Sequence, residues 1–267
     1  MMKLLSYAYG CAGIAVITVV MPLDFLFNVL LPGRRNDQRA RSRLLHRWAK
    51  FSAGLFGCRV TTHGRVPDHG LCVSNHLSYL DIPAYGSVAP MVFVSKADVR
   101  RWPLFGAWAA MCGTLFIKRE NKGHVADVGD QMEVVLKTGV PLVVFPEGTS
   151  SGGETVLPFK SSLFQPAIDH QWPVTPMWIG YELDNGTVAE DVAYWGDMTL
   201  LPHLFNLFTR KGVRATVAFG EPLEPGTNRK ELCQRAHAAV EALREKWQPG
   251  LGTGSIAMGV RESAAGG

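Results

Sequence analysis

Three short segments of the chain place reactive residue types where a strand gives way to a turn. The first is Val73-Ser74-Asn75-His76-Leu77-Ser78-Tyr79-Leu80-Asp81-Ile82-Pro83, which leaves an apolar strand and enters a helix. His76 and Asp81 are five residues apart, about 140° of rotation on a straight helix, so they do not share a helix face. They can meet only with His76 in the turn and Asp81 in the first helical turn. Ser78 followed three residues later by Asp81 resembles a capping box and predicts a helix start at Ser78. Pro83 then falls deep enough to imply an irregular first turn. A histidine held by a carboxylate is the base half of a nucleophilic triad. From these residues alone, a loop histidine beside a capping aspartate is the stronger reading.

The second segment, Leu142-Val143-Val144-Phe145-Pro146-Glu147-Gly148-Thr149-Ser150-Ser151-Gly152-Gly153, runs from a strand into a glycine-rich loop whose backbone N–H groups can cradle an anion. It contains Gly148-Thr149-Ser150-Ser151-Gly152, a G-x-S-x-G match, so a membrane-bound serine hydrolase using Ser150 is the competing reading. A nucleophile elbow turns directly from strand to helix. Here Pro146-Glu147 intervene, no helical pattern follows, and the best His and Asp lie upstream of the serine. The third segment, Gly113-Thr114-Leu115-Phe116-Ile117-Lys118-Arg119, is a strand ending in two cations. A guanidinium there suits bidentate contact with phosphate or carboxylate.

The elements around these segments alternate. Strands are predicted at Arg59–Thr62, Leu71–Ser74, Met91–Ser95, Leu115–Lys118, Leu142–Phe145, Val174–Gly180 and Arg214–Phe219. Helices are predicted near 79–88, 103–112, 123–138, 160–169, 199–209 and 228–246. This is an α/β fold with a largely parallel or mixed central sheet flanked by helices, and ligands of such sheets sit at the carboxyl ends of strands.

The resulting set of blocks resembles the glycerolipid acyltransferases of the 1-acyl-sn-glycerol-3-phosphate (lysophosphatidate) acyltransferase type. The likeness runs from Cys58 to Pro222 in four ordered blocks: Asn75-His76 with Asp81, Gly113 to Arg119, Phe145-Pro146-Glu147-Gly148-Thr149, and Val174-Thr175-Pro176. Lys96 and Pro103-Leu104-Phe105-Gly106 look like the segment between the first two. The resemblance implies acyl transfer from acyl-CoA or acyl carrier protein to a lysolipid hydroxyl, with no metal, no other cofactor and no acyl-enzyme. It makes His76 the general base and Asp81 its orienting partner, with Lys118, Arg119, Glu147, Gly148 and Thr149 shaping the acceptor site. Two positions depart from the family pattern: Lys118 stands where an acidic residue is usual, and Ser150 where an Arg is common. The runs Gly148 to Gly153, Val156 to Lys160 and Tyr194 to Met198 look more like the branch that acylates lyso-ornithine lipid.

Composition is ordinary in apolar content and slightly low in charge. Of 267 residues, 47% are apolar and 19% charged, which excludes a disordered chain and a collagen-like repeat; the polytopic transporter is excluded by its need for several long apolar runs. Leu4 to Met21 carries no charge, and Phe25 to Leu31 is apolar apart from Asn28. A signal peptide needs a small-residue cleavage site that Pro22-Leu23-Asp24-Phe25 does not supply. A buried core helix competes, but the run is terminal and apolar all round. The preferred reading is a membrane anchor, as one tilted span or a hairpin broken at Pro22.

Seven basic side chains between Arg34 and Lys50 face Asp37 alone, so the net charge of +4 is a local patch on a near-neutral body, and nucleic acid is not an expected partner. By the positive-inside rule this patch puts the remainder of the chain on the cytoplasmic face of the cell inner membrane. Leu44, Trp48, Phe51 and Leu55 form one helical stripe, fit for packing on the core or for resting on anionic lipid. The five scattered cysteines argue against a disulfide framework or zinc site and suit a reducing compartment. The expected organisation is an anchor with a basic amphipathic helix over 1–57, an acyltransferase domain over 58–248 and a disordered tail over 249–267.

Overall fold

Leu71-Cys72-Val73-Ser74 is buried at every position, as a central parallel strand requires, and its alternate side chains serve two separate cores. The structure is a computed structural model and describes residues 2–117 and 125–248. The described residues form one sheet of β1 (Arg59–His63), β2 (Leu71–Ser74), β3 (Val92–Lys96), β4 (Leu115–Ile117), β5 (Leu142–Val144), β6 (Val174–Glu182) and β7 (Arg214–Phe219). The spatial order is β1-β7-β6-β2-β5-β3-β4. Neighbours run parallel throughout except β6 and β7, which are antiparallel.

The helices are α1 (Met2–Phe25), α2 (Gln38–Leu55), α3 (Asp81–Val88), α4 (Phe105–Met111), α5 (Val125–Leu136), α6 (Gln165–Asp169), α7 (Val188–Asp191), α8 (Leu200–Phe208) and α9 (Arg229–Trp247). Helices α5, α6 and α9 cover one sheet face through Met132, Val135, Ala167, Leu232 and Ala236, packed on Leu71, Val73, Leu142 and Val144. Helices α2, α3 and α8 cover the other through Ala53, Ala84, Tyr85 and Leu207, packed on Cys72, Phe93, Val143 and Ile179.

The N-terminal run is one helix. It passes through Pro22 to Phe25 and continues as a π-helical turn over Leu26–Leu30, so the hairpin broken at Pro22 does not form. By length and composition the helix can cross a membrane. It is nevertheless packed along the domain. Gly10 and Gly13 let it close on Phe208 and Leu55, where an added Cβ would come within 2.4 and 2.2 Å of those side chains. Ile17 and Met21 are buried in the same cluster, while Leu4, Leu5, Tyr9, Val19, Leu23 and Phe27 are exposed. Asp24, the charge that interrupts the run, accepts hydrogen bonds from Arg47 Nη2 at 2.7 Å and Trp48 Nε1 at 2.8 Å, which ties α1 to α2.

Helix α2 opens on Asp37, whose carboxylate accepts the N–H groups of Arg39 and Ala40. Its expected stripe holds only in part: Leu44 and Leu55 are buried, but Phe51 is 41% exposed. Ala49 and Ala53, each about 200° of rotation from Phe51, are buried, and Gly86 of α3 lies against Ala49. Three cations of the basic patch are committed within the protein. Arg41 donates to the carbonyls of Ala110 and Met111 at the end of α4, Arg39 to the carbonyl of Thr138, and Arg47 to Asp24. Arg34, Arg35, Arg43 and Lys50 stay exposed. Lys118, Arg119 and the expected tail at 249–267 lie outside the described residues.

Candidate active site

Strand β2 stops pairing through its backbone at Ser74, opposite Met177 of β6. The Asn75 side chain takes over: its Nδ2 donates to the carbonyl of Ile179 at 2.8 Å and its Oδ1 accepts the Ile179 N–H at 2.9 Å. This amide clamp turns the chain off the sheet, and His76 is the first residue beyond it. Helix α3 begins at Asp81, three residues later than the serine capping pattern suggests. The Asp81 carboxylate closes the turn ahead of the helix instead, and Leu80 at the N-cap makes no side-chain cap bond. Asp81 Oδ2 accepts the N–H groups of Leu77 at 2.8 Å and Ser78 at 3.1 Å, while the buried Ser78 Oγ has no hydrogen-bond partner among the described residues. Pro83 is then the third helical residue, where a missing N–H costs no helical bond.

The same Oδ2 meets His76 Nδ1 at 2.7 Å. Asp81 is fully buried and His76 is 24% exposed. A carboxylate only accepts, so Nδ1 carries the proton and Nε2 is the basic nitrogen. The ring stacks on Phe145, centroids 4.1 Å apart, which fixes its plane. Asp81 Oδ1 accepts the hydroxyl of Tyr181 at 2.7 Å. A buried carboxylate with four donors is electrostatically accommodated where a bare one is not.

His76 opens onto an apolar cavity of about 390 Å³. Its walls include Phe93, Trp108 and Tyr194, and it reaches Ile14 and Ile17 of α1. Gly148, Thr149 and Ser150 line the same cavity. Glu147 is buried, and its Oε1 accepts the Leu157 N–H at 3.2 Å. The loop is less of an anion cradle than its glycines suggest: Gly148 N–H donates to the carbonyl of Phe145 and Ser151 N–H to that of His76. The Ser150 hydroxyl donates to the carbonyl of Tyr194, and among the described residues it has no histidine partner.

Burial pushes the Glu147 carboxyl up to about 8 from its ordinary 4.5, outweighing the Leu157 N–H that favours the anion. The folded protein therefore holds a proton there that the unfolded chain releases above pH 4.5. The associated stability is complete below about pH 4.5 and is lost as pH rises toward 8, by roughly 3–5 kcal/mol at about 1.4 kcal/mol per unit. Glu147→Gln keeps the shape without the titration. Denaturant melts at pH 5 and pH 8.5 should show a smaller loss for the variant than for the wild type. Parallel losses would mean that Glu147 is ionised in the fold.

A basic nitrogen facing an apolar cavity, at the carboxyl ends of β2 and β5, is placed to take a proton from a group bound there. The comparisons give the chain its family. The acyltransferase family model matches residues 58–180. The chain is 32% identical to the lyso-ornithine lipid O-acyltransferase of Brucella abortus over 248 residues, covering 87% of this chain and 91% of that one. It is 37% identical to the enzyme of the same description from Pseudomonas aeruginosa, covering 75% and 78%. It is 31% identical to the 1-acyl-sn-glycerol-3-phosphate acyltransferase of Neisseria gonorrhoeae, covering 68% and 72%. The crystal structure of the 1-acyl-sn-glycerophosphate acyltransferase PlsC from Thermotoga maritima shares the fold, with a TM-score of 0.69 over 92% of this chain and 97% of that one at 22% identity. The chain belongs to the acyltransferase family, and it is an enzyme of lipid synthesis.

Proposed function

We propose that the protein moves a fatty acyl group from the thioester of acyl-CoA or acyl carrier protein to a free hydroxyl of a lysolipid, with lyso-ornithine lipid the preferred acceptor. The observation that carries the mechanism is the His76 Nδ1–Asp81 bond, which leaves Nε2 as the base at the cavity. Nε2 takes the acceptor's hydroxyl proton as that oxygen attacks the thioester carbonyl. Asp81 stabilises the imidazolium. The tetrahedral intermediate expels the thiolate, which takes the proton back from Nε2. General base catalysis of this kind contributes ~10²–10⁴-fold. A thioester is already activated, so the transfer needs neither metal nor ATP.

The acceptor preference rests on Ser150. It stands where phosphate-handling members commonly place an Arg, and its hydroxyl is committed to Tyr194. One missing charge-assisted contact costs roughly 10–150-fold in binding. With one acyl thioester and a panel of lysolipids, lyso-ornithine lipid should match or exceed lysophosphatidate in kcat/KM. A kcat/KM for lysophosphatidate far above all others would overturn the assignment.

The protein is membrane-associated, and we place it on the cytoplasmic face of the inner membrane. The exposed apolar side of α1 supports this, as does its neighbour α8, where Leu201 and Phe205 are also exposed and Phe205 packs edge-on to Tyr7. The exposed cations Arg34, Arg35, Arg43 and Lys50 follow α1 in the chain, suited to anionic headgroups.

A further inference from the structure

Asp81 uses its two oxygens differently. Oδ2 serves His76 and two backbone N–H groups, whereas among the described residues Oδ1 accepts only from Tyr181, 2.7 Å away and 100 residues along the chain. We infer that Tyr181 is a positioning residue of the catalytic pair, locking the Asp81 carboxylate and setting the pH at which His76 becomes free to act as base. The inference rests on the reading of His76 and Asp81 as that pair.

The placement follows from the sheet. Strand β6 outruns β2 by several residues, and Asn75 clamps that overhang at Ile179. Two residues further, on the same strand face, Tyr181 arrives under the first turn of α3. Its side chain is buried, and burial together with the neighbouring Asp81 charge keeps the phenol protonated far into the alkaline range. Tyr181 is thus a donor at every working pH. A carboxylate held on one oxygen by two amides and on the other by a phenol cannot rotate, so His76 Nδ1 has a single target. The phenol also stabilises the carboxylate anion itself. Without it, the His76–Asp81 pair would bind its shared proton more tightly, and the base would become available only at higher pH. Tyr181 lies one residue beyond the family match and in none of the four sequence blocks.

The other titratable groups facing Asp81 are Cys58, Tyr85 and Glu147. Lys96, Tyr79 and Tyr194 share the cavity with His76. Burial pushes Cys58 up to about 12, and Tyr85 and Tyr79 higher still relative to an ordinary tyrosine; Glu147 sits at about 8. Glu147 titrates close enough to neutrality to add a limb of its own, so only a limb that moves in the Tyr181 variants and stays in Tyr85→Phe is assigned to the pair.

The test is the pH dependence of kcat/KM for the full-length wild type and the variants Tyr181→Phe, Tyr85→Phe and His76→Ala, with one acyl thioester and lyso-ornithine lipid. Tyr85 is the matched control, since its buried hydroxyl meets Ser74 Oγ at 2.6 Å and not Asp81. Tyr181→Phe should move the acidic limb up by about one pH unit and lower kcat roughly tenfold near neutrality, with KM changed little. Tyr85→Phe should leave the limb in place. Incorporation of 3-fluorotyrosine at position 181, a stronger donor of nearly the same shape, should move the limb down; it serves also if the phenylalanine variant fails to fold. An unmoved limb in folded Tyr181 variants, with His76→Ala inactive, would overturn the positioning role while leaving the pair intact. Wild-type turnover by His76→Ala would overturn both.

Discussion

His76→Ala lowers kcat by ~10²–10⁴-fold and leaves the protein folded. Among the described residues the ring supplies the only base bonded to Asp81, so its loss removes proton abstraction but not substrate binding. KM for both substrates should therefore change little. Structure survives because the first turn of α3 does not depend on the ring: Asp81 Oδ2 keeps the N–H groups of Leu77 and Ser78, and Oδ1 keeps Tyr181. The imidazole is partly exposed, and its removal only widens the cavity beside Phe145. Steady-state rates and a thermal melt on the same preparation check the prediction. Near wild-type turnover in a folded variant would remove His76 from the mechanism.

Asp81→Asn should also cost ~10²–10⁴-fold in kcat, and for an electrostatic reason. Three N–H donors converge on one carboxylate oxygen, so an asparagine must place its carbonyl there and turn its NH₂ to the Tyr181 hydroxyl, which can rotate to accept. The tautomer and the ring orientation are retained; the negative charge that stabilises the imidazolium is not. Asp81→Ala differs in kind. It leaves two backbone N–H groups and a phenol buried without an acceptor, a stability loss of about 2–5 kcal/mol. The double variant His76→Ala with Asp81→Asn should be no slower than His76→Ala alone, since the two residues act as a unit. Turnover by Asp81→Asn within a few-fold of wild type, with unchanged melting, would show that the charge is dispensable.

Much of this site was legible in the residues because it is local. Strands β2 and β7 have their expected bounds, and the catalytic geometry was constrained by the five-residue spacing, which allowed contact only with His76 in a turn and Asp81 at the helix start. The capping-box spacing placed the helix start at Ser78, three residues early. The buried Asp81 carboxylate instead takes the N–H groups of Leu77 and Ser78 in the turn ahead of the helix. Pro22 suggested a break that packing against α2 and α8 overrides, and Phe51 alone of the Leu44, Phe51 and Leu55 stripe is exposed. Tyr181 carried no signal, being one aromatic in an apolar strand whose partner lies 100 residues away. The competing serine had the right motif, but its meaning depends on a neighbour, and that neighbour is the carbonyl of Tyr194.

The fate of a labelled acyl group tests the central claim most directly. Wild type, Ser150→Ala and His76→Ala are each mixed with a radiolabelled acyl thioester and lyso-ornithine lipid, and the label is followed into acylated lipid, free fatty acid and protein. Direct transfer predicts label in the acylated lipid for wild type and Ser150→Ala alike, none bound to protein, and almost none transferred by His76→Ala. Label held on the protein through Ser150, or transfer that vanishes in Ser150→Ala while the variant stays folded, would contradict it.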